Sequence, residues 1–135
     1  ITARKLFVNI PVSDLQRSIE FFEFLGFAFN TQFTDATATC MLVGEGAYFM
    51  LLTRDKFQEF SKRPVADSEK TTTALYAFSV NSRAEVEDIV NKALAAGGSR
   101  AHDPQDHGFM YQWSFFDLDG HHWEVFWMDP AAVNG

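Results

Sequence analysis

The two halves of this chain open alike, and that internal repeat limits the folds it can take. Residues 6–27 read LFVNIPVSDLQRSIEFFEFLGF, and residues 75–98 read LYAFSVNSRAEVEDIVNKALAAGG. Each stretch predicts a strand, a capped helix and a glycine stop. In the first, Leu6, Val8, Ile10 and Val12 fall on one strand face, with Phe7, Asn9 and Pro11 on the other. Ser13 and Gln16 have capping-box spacing. Leu15, Ile19, Phe22 and Leu25, with Ser18 and Phe21 beside them, give a helical stripe that Gly26 ends. In the second, Tyr76, Phe78 and Val80 alternate with Leu75, Ala77 and Ser79. Ser82 and Glu85 repeat the capping box, Val86, Ile89, Val90, Ala93 and Leu94 form the stripe, and Gly97-Gly98 stop it.

Three strands are expected after each helix. In the first half they cover 27–33, 38–43 and 47–53, the last two joined by Gly44-Glu45-Gly46. In the second half they fall near 99–102, at 110–116 and at 121–127, the last two joined by the turn Asp117–Gly120. Residues 55–61 read as a short helix or turn, and residues 62–72 as a polar linker or flap. Aligning the halves sets Phe7 against Leu75, Val12 against Val80, Gly46 against Gly120, and so Met50 against Glu124. The fold class that follows is α+β: two βαβββ modules forming curved half-sheets around a shared cleft. The boundaries are one domain over 1–135, with module 1 at about 4–54, a linker at about 55–73 and module 2 at about 74–128.

The composition is that of a globular chain, 47% hydrophobic and 21% charged. Fifteen Phe and three Trp supply a large core and leave aromatic groups to line an apolar pocket. The net charge of −7 comes with no basic stripe, which speaks against nucleic acid or an anionic membrane as partner. No apolar run is long enough to span a bilayer, and no signal-peptide pattern opens the chain. The single Cys40, in the apolar run ATCMLV, reads as a core residue in a reducing compartment, so a cytoplasmic location is expected. Nothing here resembles a glycine-rich phosphate loop, a Ser-His-Asp set or a CxxC pair.

The segments VSDLQRSIEFFEFLGF and DLDGHHWEVFW resemble the vicinal oxygen chelate superfamily, which includes glyoxalase I, extradiol dioxygenases, fosfomycin-resistance transferases and bleomycin-resistance proteins. The resemblance covers nearly the whole chain. PQDHGFMYQWSFFDLDGHHWEVFWMDP looks closest to a branch labelled "predicted lactoylglutathione lyase", a label of ancestry rather than activity. The resemblance implies paired βαβββ modules, a homodimer, and metal ligands on the first and last strand of each module. By motif those positions are Phe7, Met50, Leu75 and Glu124. Phe and Leu carry no lone pair, and a thioether suits soft ions such as Cu(I). One carboxylate falls short of the roughly three protein ligands of a catalytic site. The expectation is therefore no metal and no cofactor.

Glu124 is the leading candidate for a functional residue. In HHWEVFW, His121, Trp123, Val125 and Trp127 share one face, and His122, Glu124 and Phe126 the other. A carboxylate among apolar side chains can anchor a ligand or act as a general base. Asn9, Ser79, Gln112 and Ser114 are further polar residues on strands. The loop AHDPQDHG carries His102, Asp103, Asp106 and His107; its Pro104 and Gly108 mark it as exposed, so these side chains need not converge, and a lid is the better reading. His121 is expected at the rim, with His122 at the cleft mouth.

The function expected is metal-independent binding of a small apolar or aromatic molecule, cationic ones included, in a cleft lined by Phe7, Asn9, Met50, Leu75, Trp113, His122, Glu124 and Phe126. Two alternatives stay open. One is a glyoxalase-like lyase, isomerase or dioxygenase using Glu124 as base or in a non-standard metal site with His122. The other is a structural dimer with a closed cavity.

Overall fold

The computed structural model describes residues 1–134 and divides into two compact units, residues 1–66 and the described residues from 67 onward. In the first unit, β1 (Leu6–Val12) is followed by α1 (Leu15–Leu25), β2 (Ala28–Asn30), a 3-10 turn (Thr31–Phe33), β3 (Ala38–Gly44), β4 (Ala47–Thr53) and α2 (Arg54–Phe60). The sheet order is β1-β4-β3-β2. β1 runs parallel to β4, and the other pairs are antiparallel. In the second unit, β5 (Leu75–Ser79) is followed by α3 (Arg83–Ala95), β6 (Ser99–Arg100), β7 (Gln105–Asp106), β8 (Met110–Phe116), β9 (His122–Met128) and α4 (Pro130–Asn134). Its order is β5-β9-β8-β6, with β7 also on β8, and β5 is again parallel to its neighbour β9. The α+β class and the repeated strand–helix–three-strand unit are as the sequence predicts. Among the described residues no helix is long and apolar enough to cross a membrane.

Local chemistry explains the element ends. The α1 cap is Asp14 rather than Ser13: its carboxylate accepts from Arg17 N at 3.1 Å. The Ser13 hydroxyl accepts instead from the Arg17 guanidinium at 2.9 Å. Asp caps as well as Ser, so the helix starts one residue later than the capping-box spacing implies. In α3, Ser82 accepts from Glu85 N, and the Glu85 carboxylate reaches back one residue beyond the cap to accept from Asn81 N at 2.8 Å. The strand expected over 27–33 stops at Asn30, whose side-chain oxygen accepts from Gln32 N and turns the chain into the 3-10 turn. The sequence reading also passed over β7 and α4.

Each unit buries its own helix stripe against its own sheet. Ile10, Val12, Phe22, Met41 and Leu51 fill the first core; Val86, Val90, Phe115, Trp123 and Val125 fill the second, where α3 packs on β8 and β9. A buried Leu- or Val-sized side chain contributes about 1.5–3 kcal/mol relative to exposure. Cys40 is buried, and burial pushes its thiol pKa up, as a core role requires. The β8–β9 turn is organised by the buried carboxylate of Asp117, which accepts from Asp119 N, His121 N and Trp123 Nε1 at 2.9–3.0 Å. Burial raises the pKa of Asp117, and these donors together with His121 oppose that rise. His121 is therefore buried beside Tyr76 and not at the rim, because the turn that it closes is itself buried.

The same turn depends on Gly120. Its φ of 82° is left-handed, and a Cβ there would lie 2.6 Å from the Ser68 carbonyl oxygen and 2.8 Å from Glu69 Cα. Both obstacles are backbone. Gly120→Ala should therefore destabilise the protein by about 1–3 kcal/mol. Gly44→Ala, with an allowed φ and nothing within 4 Å, should stay within about 0.5 kcal/mol of wild type. Urea denaturation of the two variants compares them directly. Equal stabilities would refute this account of the turn.

Candidate functional site

Alternation along β9 sends Trp123 and Val125 into the core and turns His122, Glu124 and Phe126 to the other face. Residues paired across adjacent strands share a side, so register fixes the neighbours. β5 places Leu75, Ala77 and Ser79 beside those three residues, and β8 places Phe116, Ser114 and Gln112 beside the same three. Glu124 thus sits on an inner strand, between Ala77 and Ser114, with apolar groups at Leu75, Phe116 and Phe126.

Two imidazoles meet its carboxylate. His102, just beyond β6, is tethered by its backbone N–H, which donates to the buried Ser114 hydroxyl at 3.0 Å. Its Nδ1 lies 2.8 Å from the Asp103 carbonyl oxygen. A carbonyl only accepts, so Nδ1 carries the hydrogen. Nε2 in turn donates to the Glu124 carboxylate, 2.7 Å from Oε1 and 2.8 Å from Oε2. His122 Nε2 contacts Glu124 Oε2 as well, and the His122 ring stands edge-on to Phe116. The Glu124 and His122 side chains retain 15% and 14% exposure and His102 31%, so the group is sheltered yet reachable. Burial works against charging His102. The hydrogen bonds to the Asp103 carbonyl and to Glu124, with the carboxylate charges of both residues, outweigh it and hold the His102 pKa above its ordinary value.

The segment that carries His102 is held at its far end. The Arg83 guanidinium donates to both carboxylate oxygens of Asp106 at 2.7 and 3.0 Å and to the Gly108 carbonyl at 2.8 Å. It also lies over the rings of Tyr111 and Trp127, 5.4 and 5.1 Å from their centroids. That fork holds the Asp106 pKa at about 2, with a further push from Gly108 N–H. The four polar residues of the loop thus separate. His102 joins Glu124, Asp103 offers its carbonyl, Asp106 binds Arg83, and His107 lies near Phe109.

Trp113 corrects the sequence reading. It pairs with Val125, so it shares the buried face under α3 with Tyr111 and Phe115, opposite Glu124. Ser114 and Gln112 take the Glu124 face instead. The alternation Tyr111, Trp113, Phe115 was a visible sign of a core face.

In the first unit, Phe7 stacks on Tyr48 with ring centroids 4.7 Å apart, and Asn9 pairs with Met50. The Asn9 amide donates to the Phe7 carbonyl at 3.4 Å. Asn9 also lines a cavity of about 510 Å3 with Leu52, Phe57, Phe60 and Ser61. The internal registers agree: Asn9 opposes Met50 as Ala77 opposes Glu124, and Phe7 opposes Tyr48 as Leu75 opposes His122. Met50 therefore occupies the place in its sheet that Glu124 occupies in the other. The four positions implied by the resemblance do not fit a metal, because Phe7 and Leu75 offer no donor atom and Met50 offers only a soft one.

Residues 6–125 match the family model described as the Glyoxalase/Bleomycin resistance protein/Dioxygenase superfamily. No curated protein matches the chain. Among solved structures, a hypothetical protein from S. aureus is 28% identical with a TM-score of 0.78, over 90% of this chain and 91% of that one. A lactoylglutathione lyase from Agrobacterium tumefaciens is 14% identical with a TM-score of 0.69, over 94% and 95%. A fosfomycin resistance protein from Mesorhizobium loti is 12% identical with a TM-score of 0.68, over 100% of both chains. At these identities the last two show the fold alone.

The Arg83–Asp106 fork makes a pH prediction. The folded pKa of Asp106 lies below the ordinary 3.8. The stabilisation from the fork is therefore complete above that value and is lost as pH falls through about 2. A carboxyl 13C titration should place the Asp106 midpoint near 2 and return it towards 3.8 in Arg83→Gln. A midpoint near 3.8 in the unsubstituted protein would mean that the fork does not hold the loop.

Proposed function

This chain belongs to the Glyoxalase/Bleomycin resistance protein/Dioxygenase superfamily, and from that premise we propose that it binds a small molecule on the sheet face that carries Glu124. The observation that carries the reading is one sheltered carboxylate met by two imidazoles on an otherwise largely apolar face. The polar trio orients a ligand, and Leu75, Phe116 and Phe126 supply apolar contact. In the first unit, taken by itself, Phe7, Asn9 and Met50, with the cavity beside Asn9, are separate candidate contacts for a small molecule. The ligand class is an apolar or aromatic molecule bearing a polar group for Glu124 and its histidines to bind.

The protein works, in this reading, as a cytoplasmic homodimer. Edge strands β1 and β5 leave Leu6, Phe7 and Leu75 exposed, which favours cover by a second copy. The lone buried Cys40 suits a reducing setting. Sedimentation equilibrium that finds only monomer at every concentration would remove the dimer from the reading.

Turnover of the lyase or isomerase type is a second reading, favoured by the same trio, which places hydrogen-bonding groups on both oxygens of one carboxylate. Thermal unfolding against a panel of neutral and cationic aromatic compounds tests the site that both readings share. A compound present at 100 times its Kd should stabilise the protein by about 2.7 kcal/mol. Glu124→Gln, which keeps shape and removes charge, should weaken that compound by about 10-fold to 100-fold. Ligands that stabilise wild type and Glu124→Gln equally would show that binding lies elsewhere. A panel without effect on wild type would leave the structural-dimer reading in its place.

A further inference from the structure

We infer that His102, His122 and Glu124 form a binding site for one divalent first-row transition ion of the zinc class. The site lies wholly within the second unit and shares only Glu124 with the four positions that the family resemblance implies. The inference rests on the small-molecule reading above and adds a cofactor to that same site.

The geometry comes first. One ligand atom from each of the three side chains lies within 4.8 Å of the others. Around an ion with bonds of about 2.0–2.2 Å, tetrahedral or octahedral ligands stand about 3–3.5 Å apart. Among the described residues this is the one such group of three.

The donor set comes next. Two imidazole nitrogens and one carboxylate oxygen suit zinc, and also Co2+, Ni2+ or Fe2+, and they leave at least one position for an oxygen from outside the protein. Exposure of 14–31% at the three side chains gives that oxygen a way in. The place left open is on the face where Leu75, Phe116 and Phe126 would meet the rest of a small molecule.

The surroundings of His102 argue independently. A metal-bound imidazole usually passes its other N–H to a carbonyl or carboxylate, which fixes the tautomer and frees the coordinating lone pair. His102 has that arrangement: Nδ1 donates to the Asp103 carbonyl, and Nε2 is turned towards Glu124 and His122. Its backbone is also pinned to the buried hydroxyl of Ser114. An ion among the three side chains would also meet the two contacts now made to a single carboxylate. Phe7, Met50 and Leu75 take no part, so the site keeps Glu124 and draws its remaining donors from His122, two residues away on the same face of β9, and from the loop after β6.

The test uses the full chain, stripped with chelator and titrated with Co2+ and Zn2+. We expect one ion per chain by elemental analysis. We also expect a visible Co2+ spectrum of the intensity given by four or five coordination with nitrogen and oxygen, abolished by Zn2+. His102→Ala and His122→Ala should each weaken the ion by about 10-fold to 100-fold or more. His107→Ala, near in sequence and outside the trio, should leave it unchanged. Absence of stoichiometric ion overturns the inference, as does binding that survives loss of both His102 and His122. The compound panel, repeated on stripped protein, separates the two readings. Glu124-dependent ligand binding by stripped protein that takes up no ion on titration would sink the metal site and leave the small-molecule site standing.

Discussion

The second unit depends on β9 lying between two partners, parallel to β5 on one side and antiparallel to β8 on the other. Strand periodicity is two, so this pairing decides at once which side chains enter the core and which face the site. Trp123 and Val125 go under α3, and the same choice commits His122, Glu124 and Phe126 to the opposite face. A slip of one residue would bury Glu124 and expose Trp123. The core therefore protects the site's orientation, and the Asp117 turn secures the register at the point where β8 gives way to β9.

Most of the fold was legible because its signals are local. The apolar stripes of α1 and α3, the glycine stops and the alternation of β4 and β8 each lie within one segment, and the two repeats support one another. The errors occur where a local signal had an equal competitor or depended on a partner strand. Ser13 and Asp14 are both good caps. β7 has two residues and exists only through β8. Trp113 is a different case: the alternation Tyr111, Trp113, Phe115 marks its face as core, and pairing with Val125 agrees.

The site was half legible. Glu124 and His122 are two apart on one strand, and alternation puts them together without further information. His102 is 22 residues away from Glu124 in sequence, in a segment whose Pro104 and Gly108 look like ordinary loop. Its convergence depends on the Ser114 tether and the Arg83–Asp106 fork, both long-range in sequence. Glu124, one of the four positions implied by the resemblance, is thus met by both His102 and His122.

The measurement closest to that claim is a long-range 15N–1H spectrum of the histidine rings, taken on wild type and on Glu124→Gln. The account predicts that His102 carries a hydrogen on Nδ1, and a second on Nε2 while that nitrogen donates to Glu124. It also predicts that the Nε2 signals of both His102 and His122 move on substitution, while that of His107 does not. A His102 ring protonated only on Nε2, or unmoved by Glu124→Gln, would contradict it.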